Sequence, residues 1–205
     1  MNRTLITLTA LTLSASLAAA QEALYAPAPP AGSAFIRVAS VNASAPITLD
    51  GRALSGKQVA RTVSAYTVVK QGEHTLKLGA STLKLNVTGG TYVTLVAQSG
   101  KLRALPAEQP GGVTKARVTL YNLSDAPASL TTADGGTRLL DGVAPGTQKS
   151  LSVNAVTAAL GVMGDGNRVL QAFPTEALKA GASYSAFVFG SGGARSAAWV
   201  APTVK

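Results

Sequence analysis

The stretch Gly90-Thr91-Tyr92-Val93-Thr94-Leu95-Val96 is matched in the second half of the chain by Gly181-Ala182-Ser183-Tyr184-Ser185-Ala186-Phe187. Each begins with glycine and continues with the β-branched, aromatic and small residues typical of a strand. A second match pairs Arg37-Val38 with Arg117-Val118. Two copies of one β-domain explain these matches, and a chance likeness between two β-rich segments is the alternative.

The spacing of turn signals also indicates β structure. Short apolar runs are separated by Gly and Asn, and no stretch keeps a helical period over three turns. Four Asp-Gly pairs predict tight turns, namely Asp50-Gly51, Asp134-Gly135, Asp141-Gly142 and Asp165-Gly166. The sequence therefore predicts an all-β fold of two tandem β-sandwich domains, jelly-roll or immunoglobulin-like. They cover 34–104 and 115–205, with a linker over 105–114.

The N-terminus is typical of a cleaved signal peptide. Arg3 precedes a short apolar run, and three alanines end the segment 1–20, so cleavage is expected after Ala20. A membrane anchor is the weaker reading because Thr and Ser interrupt the run, which is too short to span a bilayer. The Pro-rich segment 21–33 follows and is expected to be an extended arm. Export to the periplasm is the expected location.

The charge of the chain is strongly positive. It has 18 Lys and Arg against nine Asp and Glu, a net charge of +9, and no Cys. Loss of Arg3 with the signal leaves 9 − 1 = +8. Such a charge favours anionic partners, among them an acidic polysaccharide, although surface Lys and Arg also serve solubility alone. We expect no nucleic acid partner, because the chain is expected to be exported and its basic residues are scattered.

The residues needed for catalysis are scarce. His74 is the only histidine, and no Gly-x-Ser-x-Gly motif or cysteine accompanies it. Zinc ligands are missing, and Asp165-Gly166-Asn167 fits a hairpin turn better than a calcium loop. We therefore expect no enzymatic activity, no metal and no cofactor.

Binding residues are predicted from a few aromatic and basic side chains. Tyr25 and Pro27 lie in the arm, where an aromatic beside prolines can anchor a partner protein or pack on its own sandwich. Trp199 can stack on a sugar ring or close the second core. Arg37 and Arg117 interrupt apolar strands, either as structural arginines or as cations for an acidic ligand.

One family resembles the chain over most of its length. The arm and first strand, Leu24-Tyr25-Ala26-Pro27-Ala28-Pro29-Pro30-Ala31-Gly32-Ser33-Ala34-Phe35-Ile36-Arg37-Val38, and the segment Tyr121-Asn122-Leu123-Ser124-Asp125 are similar to AlgF. AlgF is the periplasmic accessory protein of alginate O-acetylation. Because of this resemblance, Tyr121 is also predicted as a binding residue.

The resemblance implies a non-catalytic periplasmic protein that assists O-acetylation of an exopolysaccharide such as alginate. It would bridge or relay between a membrane acyltransferase and a periplasmic acetyltransferase. The first half also resembles a general secreted β-sandwich repeat. The alternative is therefore a secreted carbohydrate-binding or adhesion module without a role in acetylation.

Overall fold

A computed structural model describes residues 29–42, 45–56 and 59–204. The predicted signal peptide and most of the predicted arm, including Tyr25 and Pro27, lie outside the described residues. The described part from Ala31 onward forms one compact unit. Strands make up nearly all of its regular structure, and the only helices are two single 3₁₀ turns. The prediction of an all-β fold is confirmed.

The described residues of the first half contain nine strands. They are β1 Ser33–Ser40, β2 Ile47–Leu49, β3 Arg52–Ser55, β4 Thr62–Val63, β5 Thr67–Lys70, β6 Gly72–Leu78, β7 Ser81–Val87, β8 Tyr92–Gln98 and β9 Lys101–Ala104. The first inner sheet has the order β4-β1-β8-β9, and β5 continues the β4 edge along β1. The first outer sheet has the order β3-β2-β6-β7. The two sheets enclose one apolar core and form the first sandwich.

The second half repeats this plan with ten strands. They are β10 Lys115–Ser124, β11 Ala128–Thr132, β12 Arg138–Val143, β13 Gln148–Asn154, β14 Thr157–Ala158, β15 Leu160–Met163, β16 Val169–Ala172, β17 Glu176–Ala177, β18 Ser183–Gly190 and β19 Ser196–Val200. The second inner sheet has the order β13-β10-β18-β19, and the second outer sheet has the order β12-β11-β15-β16. Strands β14 and β17 form a small separate pair.

The two inner sheets are buried on both faces. Along β1, Ala34, Ile36 and Val38 point into the first core because side chains alternate between the faces of a strand. The alternate residue Ala39 joins a third apolar cluster, which takes side chains from both halves. We call this shared layer the joint; its buried residues are Ala39, Val96, Leu105, Tyr121, Leu123, Phe187 and Phe189. It explains why these strands are near-continuous apolar runs, as expected for sheets covered on both sides.

The internal repeat has a defined structural register. Strand β1 pairs with β8 in parallel, as β10 does with β18. The backbone N–H of Gly90 donates to the carbonyl of Ser33, and that of Gly181 donates to the carbonyl of Lys115. The glycine-led stretches are therefore equivalent. Their register makes Ser33 equivalent to Lys115, so Arg37 is equivalent to Thr119 and not to Arg117.

Three of the four predicted Asp-Gly turns connect strands. Asp50-Gly51 links β2 to β3 with positive φ at both residues, as a type I′ hairpin requires. Asp134-Gly135 and Asp165-Gly166 lie between β11 and β12 and between β15 and β16. The turn predicted at Asp141-Gly142 is wrong. These two residues oppose the single residue Ser129 in a β-bulge within β12, where Gly142 supplies the positive φ.

The segment predicted as a linker follows the first inner sheet. The N–H of Leu105 donates to the carbonyl of Thr94, and Tyr92 and Glu108 exchange two backbone hydrogen bonds of 2.8 Å. Residues near the C-terminus also return to the first half, since the N–H of Tyr66 donates to the carbonyl of Thr203. The division into domains over 34–104 and 115–205, with a linker over 105–114, stays a prediction.

Candidate functional site

The centre of the joint is a buried arginine. Arg37 is 2% exposed, and its guanidinium lies over three aromatic rings contributed by both halves. Its central carbon is 4.5 Å from the ring centroid of Tyr66, 4.9 Å from Phe187 and 5.2 Å from Tyr121. Cation–π contacts of this kind partly replace the hydration that the cation loses on burial.

A chain of hydroxyls connects this arginine to a buried carboxylate. Arg37 Nε donates to Thr94 Oγ1 at 3.0 Å, and Thr94 donates to the Tyr121 hydroxyl at 3.2 Å. Tyr121 in turn donates to Glu108 Oε2 at 2.5 Å. A second arginine nitrogen donates to Ser185 Oγ at 2.7 Å. The cation and the carboxylate thus compensate each other through two hydroxyls rather than by direct contact.

Glu108 gathers its partners from the second half. Besides the Tyr121 hydroxyl, it accepts hydrogen bonds from Thr119 Oγ1 at 2.8 Å and Ser150 Oγ at 3.3 Å. The residue is 8% exposed although it lies in the predicted linker. Removing a carboxylate from water is costly unless its oxygens are satisfied, and here both accept hydrogen bonds.

The tyrosines of the joint are held neutral. Burial raises the pKa of Tyr66 to about 12, although nearby Arg37 favours the phenolate. Burial also raises the pKa of Tyr121 well above its ordinary value, and the Glu108 carboxylate acts in the same direction against Arg37. Neither phenol can therefore serve as a base near neutral pH, and both act as hydrogen-bonding groups.

His74 is tied on both sides of its ring. Nδ1 is 2.6 Å from Asp50 Oδ2, and Nε2 is 2.7 Å from the carbonyl of Lys70. Both neighbours are acceptors, so the doubly protonated ring satisfies both contacts. Burial lowers the pKa of His74, but the hydrogen bonds to Asp50 and Lys70 outweigh it and raise the pKa above its ordinary value. A general base needs a free ring nitrogen, and this ring offers none.

Trp199 lies on the second core. Its ring is stacked 5.7 Å from Tyr184 and lies 5.4 Å from Phe173, and Nε1 donates to Glu176. The residue is partly buried and packs against the core cluster. These contacts favour the core-closing alternative, while a sugar-binding role for Trp199 stays a prediction.

The six predicted binding residues do not form one surface. Arg37 and Tyr121 come together in the joint, where contact with a polymer would require the sandwiches to separate. Arg117 lies on the same face of β10 as Tyr121, and its buried Nε has no hydrogen-bond partner among the described residues. Tyr25 and Pro27 lie outside the described residues. The binding role of all six stays a prediction.

The sequence did not reveal the other members of the buried network. Thr94 and Ser185 lie in strands that the sequence predicts, but the sequence does not show that both hydroxyls accept hydrogen bonds from Arg37. Glu108 stands among prolines and glycines, in a context that is typical of an exposed loop. These residues are brought together only by contacts between distant parts of the chain.

Within 29–42, 45–56 and 59–204, no three His, Asp or Glu side chains are grouped as a metal site would require. No helix in this part of the chain is long and apolar enough to cross a membrane.

These features define a tandem β-sandwich protein whose two halves are joined by a buried polar network. The family model described as "Alginate O-acetyl transferase AlgF" matches residues 7–185. The chain belongs to the AlgF family, as the sequence resemblance predicts.

Named relatives match along nearly their whole length. The alginate biosynthesis protein AlgF of Pseudomonas syringae pv. tomato is 32% identical over 91% of this chain and 84% of its own. The protein of the same name from Pseudomonas aeruginosa is also 32% identical, over 96% of this chain and 92% of its own. A solved structure of the C-terminal domain of AlgF from P. aeruginosa is 30% identical, with a TM-score of 0.39. It covers 43% of this chain and 98% of its own.

Proposed function

We propose that this protein is a non-catalytic periplasmic accessory factor in the O-acetylation of an exopolysaccharide such as alginate. It would bridge or relay between a membrane acyltransferase and a periplasmic acetyltransferase. Family membership supports the link to alginate biosynthesis. The family description names a transferase, whereas the relatives are named biosynthesis proteins, so the accessory role rests on the chemistry of this chain.

The observation that carries the non-catalytic role is the state of the only histidine. Both ring nitrogens of His74 are engaged, by Asp50 and by a backbone carbonyl. Acyl transfer to a sugar hydroxyl needs a nucleophile or a base within reach of the substrate. In the described part of the chain, the buried hydroxyls of Thr94, Tyr121 and Ser185 bond to one another or to Arg37 and Glu108, away from solvent.

Deletion of the gene tests the role in acetylation. We expect the exopolysaccharide of the deletion strain to lose most of its acetyl groups while its uronate yield is maintained. Base-released acetate per uronate measures the effect, and the wild-type gene should restore it. Unchanged acetylation in the deletion strain would contradict the proposal.

Two further measurements separate an accessory factor from an enzyme. The purified protein, incubated alone with acetylated polymer or an acetyl ester, should release no acetate. Complementation with His74→Asn should restore acetylation as far as the variant accumulates. Acetate release that disappears in His74→Asn would instead establish an enzyme. N-terminal sequencing of the periplasmic fraction tests the location and should begin at Gln21.

A further inference from the structure

A groove lies at the open side of the first sandwich, between the edge strands β3 and β5. Its volume is about 490 Å³. Leu49, Leu54 and Val69 contribute apolar side chains, and Arg52, Lys70 and His74 contribute polar groups. A concave apolar surface with a few convergent polar groups is the usual form of a binding site.

The backbone of β5 has an unused hydrogen-bonding edge. The N–H of Phe35 donates to the carbonyl of Thr91, just before β8, so the backbone polar groups of this β1 residue are directed away from β5. Val68 is its partner in the antiparallel register, and a residue opposite such a position directs its own N–H and C=O away from the pair. No described strand pairs with that side of β5. Among the described residues, no backbone group pairs with the outward N–H and C=O of Val68 at the groove.

The same edge already accepts an extended segment. Two residues earlier, the N–H of Tyr66 donates to the carbonyl of Thr203 at 3.0 Å, and Tyr66 forms a parallel bridge with Val204. Tyr66 and Val68 point outward with the same parity. The edge is thus compatible with strand addition, and among the described residues the C-terminal segment pairs with it only at Tyr66, just before β5.

Charge around the groove favours an acidic occupant. Residues 34–104 contain nine Lys and Arg against two acidic residues, whereas 115–205 contain eight against five. Arg52 and Lys70 form no ion pair among the described residues. The carboxylate of Asp50 is engaged by His74 and by the N–H of Thr75. An incoming carboxylate would therefore meet cations with no competing partner.

The aromatic residues argue for a peptide rather than a sugar chain. Every aromatic side chain in the described ranges is buried or partly buried. Among the described residues, a sugar ring would thus find no fully exposed aromatic face to stack on. Main-chain donors, an apolar floor and flanking cations instead match an extended peptide that pairs through its backbone.

We propose that the groove between β3 and β5 binds an extended acidic segment of a partner protein by strand addition at Val68. Arg52 and Lys70 take its carboxylates, and the apolar floor takes its alternate side chains. This inference rests on the proposed function only for the existence of a partner protein in acetylation.

A peptide titration tests the proposal. The probe is a capped hexapeptide of alternating aspartate and valine, added to the ¹⁵N-labelled full chain at low salt, and the control peptide carries lysine for each aspartate. We expect amide shifts clustered at residues 52–54 and 67–74, slower hydrogen exchange at Val68, and at least tenfold weaker binding of the control peptide. Weaker binding at high salt is expected as well.

Three variants identify the contacts. Arg52→Glu/Lys70→Glu should weaken binding at least tenfold, whereas Lys84→Glu, an exposed reversal on the outer face of the first outer sheet, should leave it unchanged. Val68→Pro removes the outward N–H without removing a backbone hydrogen bond of the fold, so it should weaken binding of the acidic peptide. No peptide-induced shift up to millimolar concentration, or equal binding of both peptides, would overturn the proposal.

Two further experiments separate this proposal from its alternatives. Uronate oligomers in place of the peptide should shift none of these amides; if they do and the peptide does not, the occupant is a polysaccharide and the proposal is wrong. In cells, Arg52→Glu/Lys70→Glu should lower acetylation as deletion does. If deletion abolishes acetylation but this variant acetylates normally, the accessory role stands and the groove has no part in it.

Discussion

Arg37 shows how a charged side chain can be placed between two apolar layers. Its guanidinium combines three aromatic faces with hydrogen bonds to Thr94 and Ser185, and Glu108 balances its charge through Tyr121. Breaking such an arrangement from one side leaves the other charge buried without compensation. The cost then exceeds the net contribution of the intact network.

The first prediction concerns this network. Arg37→Met should lower the free energy of unfolding by about 3–5 kcal/mol, because Glu108 stays buried without its cation. Urea unfolding followed by circular dichroism measures the change. Arg52→Met, an exposed arginine with no ion pair among the described residues, should change stability by less than about 0.5 kcal/mol.

A double variant tests whether the two charges are coupled. Arg37→Met/Glu108→Gln should lose less stability than the two single changes together, because neither charge then remains unbalanced. Strictly additive losses would mean that Arg37 and Glu108 contribute independently.

His74 and Asp50 form a second coupled pair, at the surface. The pKa of His74 is raised, so its contribution is fully present below about pH 6.5 and is lost as the pH rises through the folded value. The pKa of Asp50 is lowered, mainly by the hydrogen bond from His74. Its contribution is present above about pH 3.9 and is lost as the pH falls through the folded value. The pair is therefore most stabilising between these limits.

The second prediction follows from these signs. The stability difference between wild type and His74→Asn should be largest near pH 5 and should shrink above neutral pH. Urea unfolding at a series of pH values measures it. Asp50→Asn should flatten the same pH dependence, and a difference that grows with rising pH would show that His74 is held neutral.

The segment 105–114 between the sandwiches packs more closely against its neighbours than its Pro- and Gly-rich composition indicates. A Cβ added at Gly111 would lie 2.7 Å from the carbonyl oxygen of Ala182 and 2.9 Å from that of Lys115. Both contacts are with backbone, which cannot move aside as a side chain could. At Gly112, the next residue, a Cβ would meet nothing within 4 Å.

The third prediction uses these two glycines as a matched pair. Gly111→Ala should destabilise the protein by about 1–3 kcal/mol, the usual cost of overpacking. Gly112→Ala should be neutral or stabilising by up to about 1 kcal/mol through the unfolded chain. Thermal unfolding of both variants measures the difference, and equal effects would mean that the segment does not pack closely here.

Some elements could be predicted from sequence because their signals are local. Asp50-Gly51 meets the backbone demand of a two-residue hairpin, and the structure confirms that turn. Asp141-Gly142 carries the same signal but lies in a bulge. A two-residue hairpin and this bulge both require a residue with positive φ, so the dipeptide alone does not distinguish them. Arg37 and Arg117 look equivalent for a similar reason. An Arg-Val pair recurs easily in strands, and only backbone bonding fixes the register.

At the scale of the whole molecule, four sheets are stacked as two sandwiches with the joint in the middle. Composition and periodicity predict apolar strands. They do not distinguish a strand with one buried face from a strand that is buried on both faces. Glu108, Arg37 and Ser185 are separated widely in sequence and meet only through that stacking. The buried network of the candidate site was therefore beyond sequence reasoning, whereas the all-β fold was not.

The fourth prediction tests whether the joint makes the halves cooperative. Phe187 is fully buried and stacks 4.4 Å from Tyr121, so Phe187→Ala should cost about 3–5 kcal/mol. Trp199 fluorescence reports on the second sandwich, and circular dichroism reports on both. The two urea transitions should coincide in the wild type and separate in the variant.

Val162→Ala provides the control for this experiment. Val162 is also fully buried, but it lies in the second core and not in the joint. This variant should lower the midpoint and keep the two transitions coincident. Separation in Val162→Ala but not in Phe187→Ala would contradict a coupling role for the joint.

The return of Thr203 to Tyr66 has a consequence for the order of events during synthesis. Tyr66 is synthesised long before Thr203 and Val204, so its part of the sheet edge stays unpaired until those two residues arrive. Contacts between such distant positions delay the last step of folding, since both sandwiches must already be docked. Until then, a newly made chain exposes this unpaired sheet edge to neighbouring molecules. We therefore expect aggregation of the nascent chain to begin there.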